Sequence, residues 1–345
     1  MFETWTRRSA AITAPPLVVV ALLLAIGTTS STGYAFGLAS TLCIDIVALV
    51  GLNIIAGHAG QLALGHAGLI GAGAYVVAIL GTDYGTSPLT ALVLAPVLSA
   101  ILAVVIGFPT LRLRGLYFAV ATLAFAVIVD FVINRAVTLT GGPDGKTVVP
   151  LTVGARSYAS SEDFFYLAVI VVLVVLVLDR LFVRTWMAWG LKAAKMSEAA
   201  VAGVGVPVYA TRLGAFAMAG ALAGLTGAML AYQTAYVSPS TFTLAHSIDL
   251  FVVLFIGGMA TFVGPVAGAL ILYLFDRFLA PYPELSPFVL GIAFLLALRF
   301  LPGGLGGALS KAWTSARAKR SRGGGRPSRP ELPAADVQAR AGVGS

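Results

Sequence analysis

Two stretches rich in glycine and polar groups interrupt long runs of hydrocarbon in this chain. One runs from Gly51 to His66 and carries Asn53, His58 and Gln61; the other runs from Ile256 to Gly268 and carries Gly257-Gly258 and Gly264-Pro265. Their surroundings fix the solvent: 59% of the 345 residues are hydrophobic and 10% are charged, a balance no ordinary soluble domain approaches. At membrane depth, glycine, proline and free polar groups are tolerated only where backbone is buried in protein or lines a cavity. The two stretches therefore mark the interior of an all-α polytopic membrane protein that builds a path through a bilayer.

A spanning helix needs about 20 apolar residues. On that measure spans are predicted near 14–30, 34–56, 62–80, 88–108, 115–134, 164–183 and 211–233, with two more apolar regions at 248–275 and 286–301. The start, Arg7-Arg8 followed by Pro15 to Ile26, is laid out like a secretory signal, and the many later spans favour reading it as an uncleaved first helix. The bias of basic residues toward the cytoplasm sets orientation. Arg7 and Arg8 begin inside, Asp83 to Ser87 lies outside, and Arg112 and Arg114 return inside. The segment 135–163 is outside, and Arg180, Arg184, Lys192, Lys195 and Arg212 form the densest internal basic group, inside. If 248–275 crossed once, the basic tail would emerge outside. That segment is therefore expected to enter and return as two short half-helices joined by irregular backbone. The expectation is about eight transmembrane helices plus a re-entrant pair, with ten short spans as the other partition. Residues 1–13 form a cytoplasmic N-terminus, 14–307 the transmembrane domain and 308–345 a disordered basic cytoplasmic tail.

The tail holds most of the formal charge of +8. Its composition of Gly, Ser, Pro and Ala, without aromatic interleaving beyond Trp313, suits a disordered segment beside anionic lipid and not a nucleic-acid site. Cys43 is the one cysteine, which excludes an intrachain disulfide and a thiolate metal cluster.

Between the sixth and seventh predicted spans, Gly190 to Ala200 reads as one amphipathic helix. Val204-Gly205-Val206-Pro207 ends it, with Gly205 supplying a left-handed cap and Pro207 forbidding continuation. Such a helix presents a face to a soluble partner. Glu198-Ala199-Ala200 followed by Gly205 resembles the Glu-Ala-Ala loop of ABC-importer permeases. Gly51-Leu-Asn53, Gly57, Gly60-Gln61, Gly65-His66 and Gly71-Ala-Gly-Ala-Tyr75 resemble the signature of the LivM-type permease family for branched-chain amino acids. Arg112 to Ala119, Thr140 to Gly145, Val237 to Ser240, Ile256 to Ala260 and Leu301 to Leu305 follow in the same order. Departures are His58 for a frequent aromatic, Ala63 for a frequent serine, Val127 for a common acid, and a coupling loop poorer in charge.

The resemblance implies a membrane-spanning ABC-importer subunit that forms half of a pathway for branched-chain amino acids, with urea or short amides as alternative solutes. Implied partners are ATP-binding cassette subunits, a companion LivH-like permease and an extracytoplasmic solute-binding protein. The ATPases would engage Lys192, Lys195, Glu198, Ala199, Ala200 and Gly205. Location would be the cell membrane with both termini cytoplasmic. No cofactor is implied.

Asn53, His58, Gln61 and His66 have two readings: they line the solute path, or they hydrogen-bond neighbouring helices and freed carbonyls. His58 and His66 lack a third ligand nearby, so zinc is not expected. Asp45 lies midway along a span, where an acid is costly, and must face protein or water. Asp130, Asp179, Asp249 and Asp276 fall nearer predicted helix ends, where solvation is expected. Thr140 to Thr147 nearly matches a phosphate loop, but Thr140 stands where glycine is needed and Val148-Val149-Pro150 continues extended. With no catalytic constellation elsewhere, the chain is not expected to be an enzyme. An ion-coupled secondary transporter is the rival class; Asp45 and the broken segments suit it, while the Glu198 loop has no use in it.

Overall fold

The computed structural model describes residues 15–25, 27, 33–113, 115–153, 156–279, 281–282, 285–300 and 304–307. Expectations for 1–13, for Arg114, for the tail 308–345 and for the side chain of Asp276 lie outside the described residues. Helix α1 is Pro15–Ala25. α2 (Gly33–Leu52) continues as a π-helix over Asn53–Ala59, and α3 (His66–Thr82), α4 (Pro88–Thr110), α5 (Leu116–Arg135) and the short α6 (Val137–Thr140) follow. α7 (Ser161–Phe182) leads to α8 (Trp186–Met196), α9 (Glu198–Gly203) and α10 (Val208–Thr234). α11 (Leu244–Gly257), α12 (Val263–Leu279) and α13 (Ser286–Phe300) complete the series. Among the described residues, seven helical segments are long and apolar enough to cross a membrane, with α1 and α3 as shorter apolar helices. The chain is a polytopic all-α membrane protein.

Helix starts follow local chemistry. Ser160, Thr185, Ser197 and Thr243 accept backbone N–H bonds from the first turns of α7, α8, α9 and α11, the N-cap arrangement that satisfies otherwise orphaned donors. α7 adds Glu162 and Asp163 in its first turn and Arg180 in its last, each matched to the helix dipole.

Burial sorts side chains by size instead of polarity. On α4, Ala91, Ala95, Ser99, Ala103 and Gly107 are buried at every fourth position, while Val93, Val97, Ile101 and Val105 face outward at the same spacing. The small face meets α10, which lies between α3 and α4. A Cβ on Gly224 would meet the Ala95 carbonyl at 2.6 Å, and one on Gly227 would meet the Ala74 amide at 2.7 Å and also the Ile70 carbonyl. Helices in lipid gain nothing from hiding hydrocarbon from hydrocarbon, so small residues that let backbones approach hold them together.

The connections fall at two opposite ends. At one end Thr82 Oγ1 donates to the Thr147 carbonyl at 2.9 Å, Lys146 pairs with Asp83 at 2.5 Å, and strand β1 (Lys146–Thr147) pairs with a second strand (Tyr236–Val237). At the other, Tyr209 Oη donates to the Phe108 carbonyl at 2.6 Å and Lys195 to the Gly57 carbonyl. This grouping matches the expected alternation of loops. Two boundaries differ from expectation. The span expected at 62–80 begins only at His66, because residues 60–65 are not helical. The helix expected over 190–200 is two helices, broken where Ser197 adopts φ −159 and ψ 110 to cap α9.

Candidate functional site

The Gly51–His66 stretch is a fold-back that turns at the basic end of α2 and returns to its middle. α2 widens into its π-helical turns, and Gly60, at φ +69, ends them in the left-handed conformation that glycine adopts without strain. The non-helical segment 61–65 then leads back to α3. Its backbone is held by Gln61 N, which donates to Ile55 O, and by Leu64 N, which donates to Thr122 Oγ1 on α5 at 3.1 Å. His66 opens α3 beside the middle of α2, its Nε2 3.2 Å from the Ala48 carbonyl, and Ala67 N donates to Ser247 Oγ on α11 at 2.9 Å.

Asn53, fully buried, reaches the broken downstream stretch. Its Nδ2 donates to the Thr261 carbonyl at 3.1 Å and its Oδ1 accepts from Ala260 N at 2.8 Å. Those residues form the tip of a hairpin in which α11 and α12 run antiparallel; the break falls where the Gly-Gly and Gly-Pro pairs predict, but the first arm, Pro239–Gly257, is long and apolar enough to cross a membrane instead of being the short half-helix expected. Ala260 sits at φ +58, a conformation that costs a non-glycine residue about 1 kcal/mol or more, and Asn53 holds it there. Gly57 makes the reach possible, since a Cβ there would meet Ala260 N at 2.6 Å and strike Asn53 Oδ1. Arg180, at the end of α7, lies 3.8 Å over the Phe262 ring at the same tip. Asn53→Leu is expected to leave two half-buried backbone groups unpaired, costing about 1 kcal/mol for each. Thermal unfolding of the purified chain checks this: an unchanged midpoint would remove Asn53 as the clamp.

His58 is buried edge-on to Phe182, ring centroids 5.9 Å apart, and Gln61 is half-buried at the turn. Of the four polar residues expected to line a path or brace helices, Asn53 and His66 make interhelical hydrogen bonds. None of the four lines the polar cavity that Asp45 faces.

That cavity, about 260 Å³, lies between α2, α3, α10, α11, α12 and α13. Its polar lining is Thr41, Asp45, Thr226, Thr241, His246 and Asp249, and its aliphatic lining includes Ile70, Leu230 and Leu272. Asp45 thus faces the chamber, as the cost of an acid at depth requires. Asp249 also faces it instead of sitting at a solvated helix end. Asp179 departs further from the expectation of solvation: it is 4% exposed, on the wall of a separate apolar cavity between α2, α7 and α10. The sequence signal missed for the chamber was the i, i+3 pair His246–Asp249, one turn of α11 that turns the same face inward.

At the basic end, α8 packs on the π-helical end of α2, and α9 packs on α8 and α10. Lys195 donates to the Gly57 carbonyl, its stem lying where a Gly60 side chain would stand. Burial, and then Lys192 nearby, pull the Lys195 ammonium below its ordinary pKa. Lys192 lies 5.8 Å over Trp189. Glu198 pairs with Arg212 at the start of α10, so its charge does not face a partner alone. Ala199 and Ala200 are exposed on α9, and Gly205 has φ +83, the expected left-handed cap. Met196 and Val204 project outward, 91% and 82% exposed.

The sequence profile described as branched-chain amino acid transport system, permease component, matches residues 33–298. The high-affinity branched-chain amino acid transport system permease protein LivM of Salmonella typhimurium is 31% identical over 294 residues, covering 78% of this chain and 69% of that protein. The LivM of Escherichia coli K12 is 30% identical over the same shares. No solved structure matches the chain. The profile covers the fold-back, the hairpin and the α8–α9 element alike, and the chain belongs to the family of branched-chain amino acid transport system permeases.

Proposed function

We propose that this chain is the membrane-spanning subunit of an ABC importer for branched-chain amino acids, supplying half of the translocation pathway and no catalysis of its own. ATP-binding cassette subunits inside, a LivH-like companion permease beside it and an extracytoplasmic solute-binding protein complete the assembly. The observation that carries this reading is the α8–α9 element seated on the fold-back of α2 through Lys195. From the Gly57 carbonyl that Lys195 holds, it is four residues to Asn53, and Asn53 grips the α11–α12 tip. Motion of α8 driven by ATPase closure thus reaches the hairpin within one turn of helix. Asn53, His58, Gln61 and His66 frame the path, while Lys192, Lys195, Glu198, Ala199, Ala200 and Gly205 form the coupling element. A secondary carrier gains nothing from such an element.

Both termini lie on the cytoplasmic side in this reading, and the hairpin enters and returns. Cysteines introduced by Ser315→Cys and Gly85→Cys are expected to react with an impermeant thiol reagent from the inside and from the outside respectively; labelling of position 315 from outside overturns the re-entrant assignment. The function itself is tested in proteoliposomes carrying the chain with its companion permease, ATPases and receptor. ATP-dependent leucine uptake is expected, and Glu198→Lys, which sets a second cation against Arg212, should remove it while insertion persists. Uptake unchanged by Glu198→Lys would remove the coupling role from α9.

A further inference from the structure

The chamber of about 260 Å³ has room equal to about nine waters' share of liquid, enough for one small solute. Its polar wall offers mainly acceptors. Asp45 on α2 and Asp249 on α11 contribute carboxylates, and neither Lys nor Arg is among its lining residues. The Thr226 hydroxyl donates its proton to the Leu222 carbonyl at 2.8 Å, leaving lone pairs as what it can offer inward. Thr41 Oγ1 lies 3.2 Å from the Gly37 carbonyl, to which it donates, and accepts from Gln233 Nε2 at 2.9 Å. The same chamber is also lined by Ile70, Leu230, Leu272 and Leu290, hydrocarbon that an aliphatic group can cover without loss. Acceptors and branched hydrocarbon lining one chamber, with Asp45 midway along α2, suit a solute that carries several N–H donors and a positive charge together with an aliphatic group.

We propose that this chamber, built within a single chain, is a solute-binding station that takes the primary ammonium group of a small aliphatic solute between Asp45 and Asp249. His246, one turn before Asp249, is the donor-capable group for a carboxylate when the solute has one. The assignment rests on the transport reading above, and it moves solute recognition from the seam between two permeases into the body of this one. The fold-back builds the chamber: His66 ties α3 to Ala48 on its wall, and Ala67 ties α3 to Ser247 on α11.

The test is saturation-transfer NMR on the full chain in nanodiscs, with three probes of one carbon skeleton: leucine, isoamylamine, which lacks the carboxylate, and 4-methylpentanoate, which lacks the ammonium. Leucine and isoamylamine are expected to bind and to displace one another, and 4-methylpentanoate to do neither. Asp45→Asn and Asp249→Asn should each weaken both amines on the order of tenfold or more, the scale of a charge-assisted hydrogen bond. His246→Ala should weaken leucine alone. Absence of binding to the wild-type chain, equal displacement by 4-methylpentanoate, or unaltered amine binding by both asparagine variants overturns the proposal. The probe comparison on the wild-type chain needs no variant and stands if a variant misfolds. Failure of ATP-driven uptake with intact amine binding counts against the transporter class. Intact uptake without binding here counts against the chamber.

Discussion

Lys195→Glu is expected to leave the chain inserted and its ATPase partners bound, and to cut uptake per ATP hydrolysed by roughly 5- to 150-fold, the range of a coupling free energy of about 1–3 kcal/mol. The substitution acts where α8 meets the fold-back. It replaces the donor to the Gly57 carbonyl with a carboxylate facing the carbonyl-rich end of a helix, so attraction becomes repulsion. The stem contact with Gly60 is disturbed as well. Lys195→Met, which keeps most of the stem and loses the hydrogen bond, should show an intermediate loss. Uptake and ATP hydrolysis measured on the same proteoliposomes check both variants. Hydrolysis with normal uptake in Lys195→Glu would show that motion reaches the hairpin by another route.

Gly227→Leu is expected to abolish the folded protein. The α10 backbone there approaches α3 so closely that a Cβ would strike the Ile70 carbonyl and come within 2.7 Å of the Ala74 amide. Backbone cannot rotate aside as a side chain can, so α10 must separate from α3. Gly73 and Gly224, which face each other one turn away, would lose contact with it. The cost is on the order of 3 kcal/mol or more, the upper range for overpacking, a large share of ordinary stability. Gly291→Leu is the control, since a Cβ at Gly291 meets nothing within 4 Å. Detergent-solubilised size-exclusion profiles should show aggregate for Gly227→Leu and a wild-type peak for Gly291→Leu. Monodisperse Gly227→Leu would contradict the close packing of α10.

Much of this architecture is legible in hydropathy because spans of about 20 apolar residues are long signals, and the positions of Arg112 and Lys192 assign their ends. The turn between α11 and α12 was legible too, because Gly257-Gly258 and Gly264-Pro265 interrupt the apolar run; the arms are longer than the half-helices expected, Pro239–Gly257 being long and apolar enough to cross a membrane. Three features were not. Residues 62–65 read as helix because Leu62, Ala63 and Leu64 are good helix formers; tertiary contacts, including Thr122 58 positions away from Leu64, override that preference. The break at Ser197 is a local cap competing with helix continuation, a contest between two weak preferences. The chamber depends on Asp45 and Asp249 meeting across more than 200 residues, a distance at which spacing carries no information. Asp179 shows the converse, since nearness to a helix end suggested solvent while packing by α2 and α10 buried it. The orientation of small faces on α4 was readable in principle, from Ala91, Ala95, Ser99, Ala103 and Gly107 recurring every four residues.

The central claim is that α8 and α9 form a handle moved by an ATP-hydrolysing subunit. Met196 and Val204, apolar and projecting, are the anchors such a subunit would cover. Purification of the chain from membranes in gentle detergent, with nucleotide hydrolysis measured on what travels with it, tests this most directly. An ATPase should co-purify with the wild-type chain and be lost from a Met196→Asp, Val204→Asp double variant that still elutes as a folded protein. Absence of any ATPase, together with solute accumulation on an ion gradient by liposomes holding this chain alone, would contradict the account.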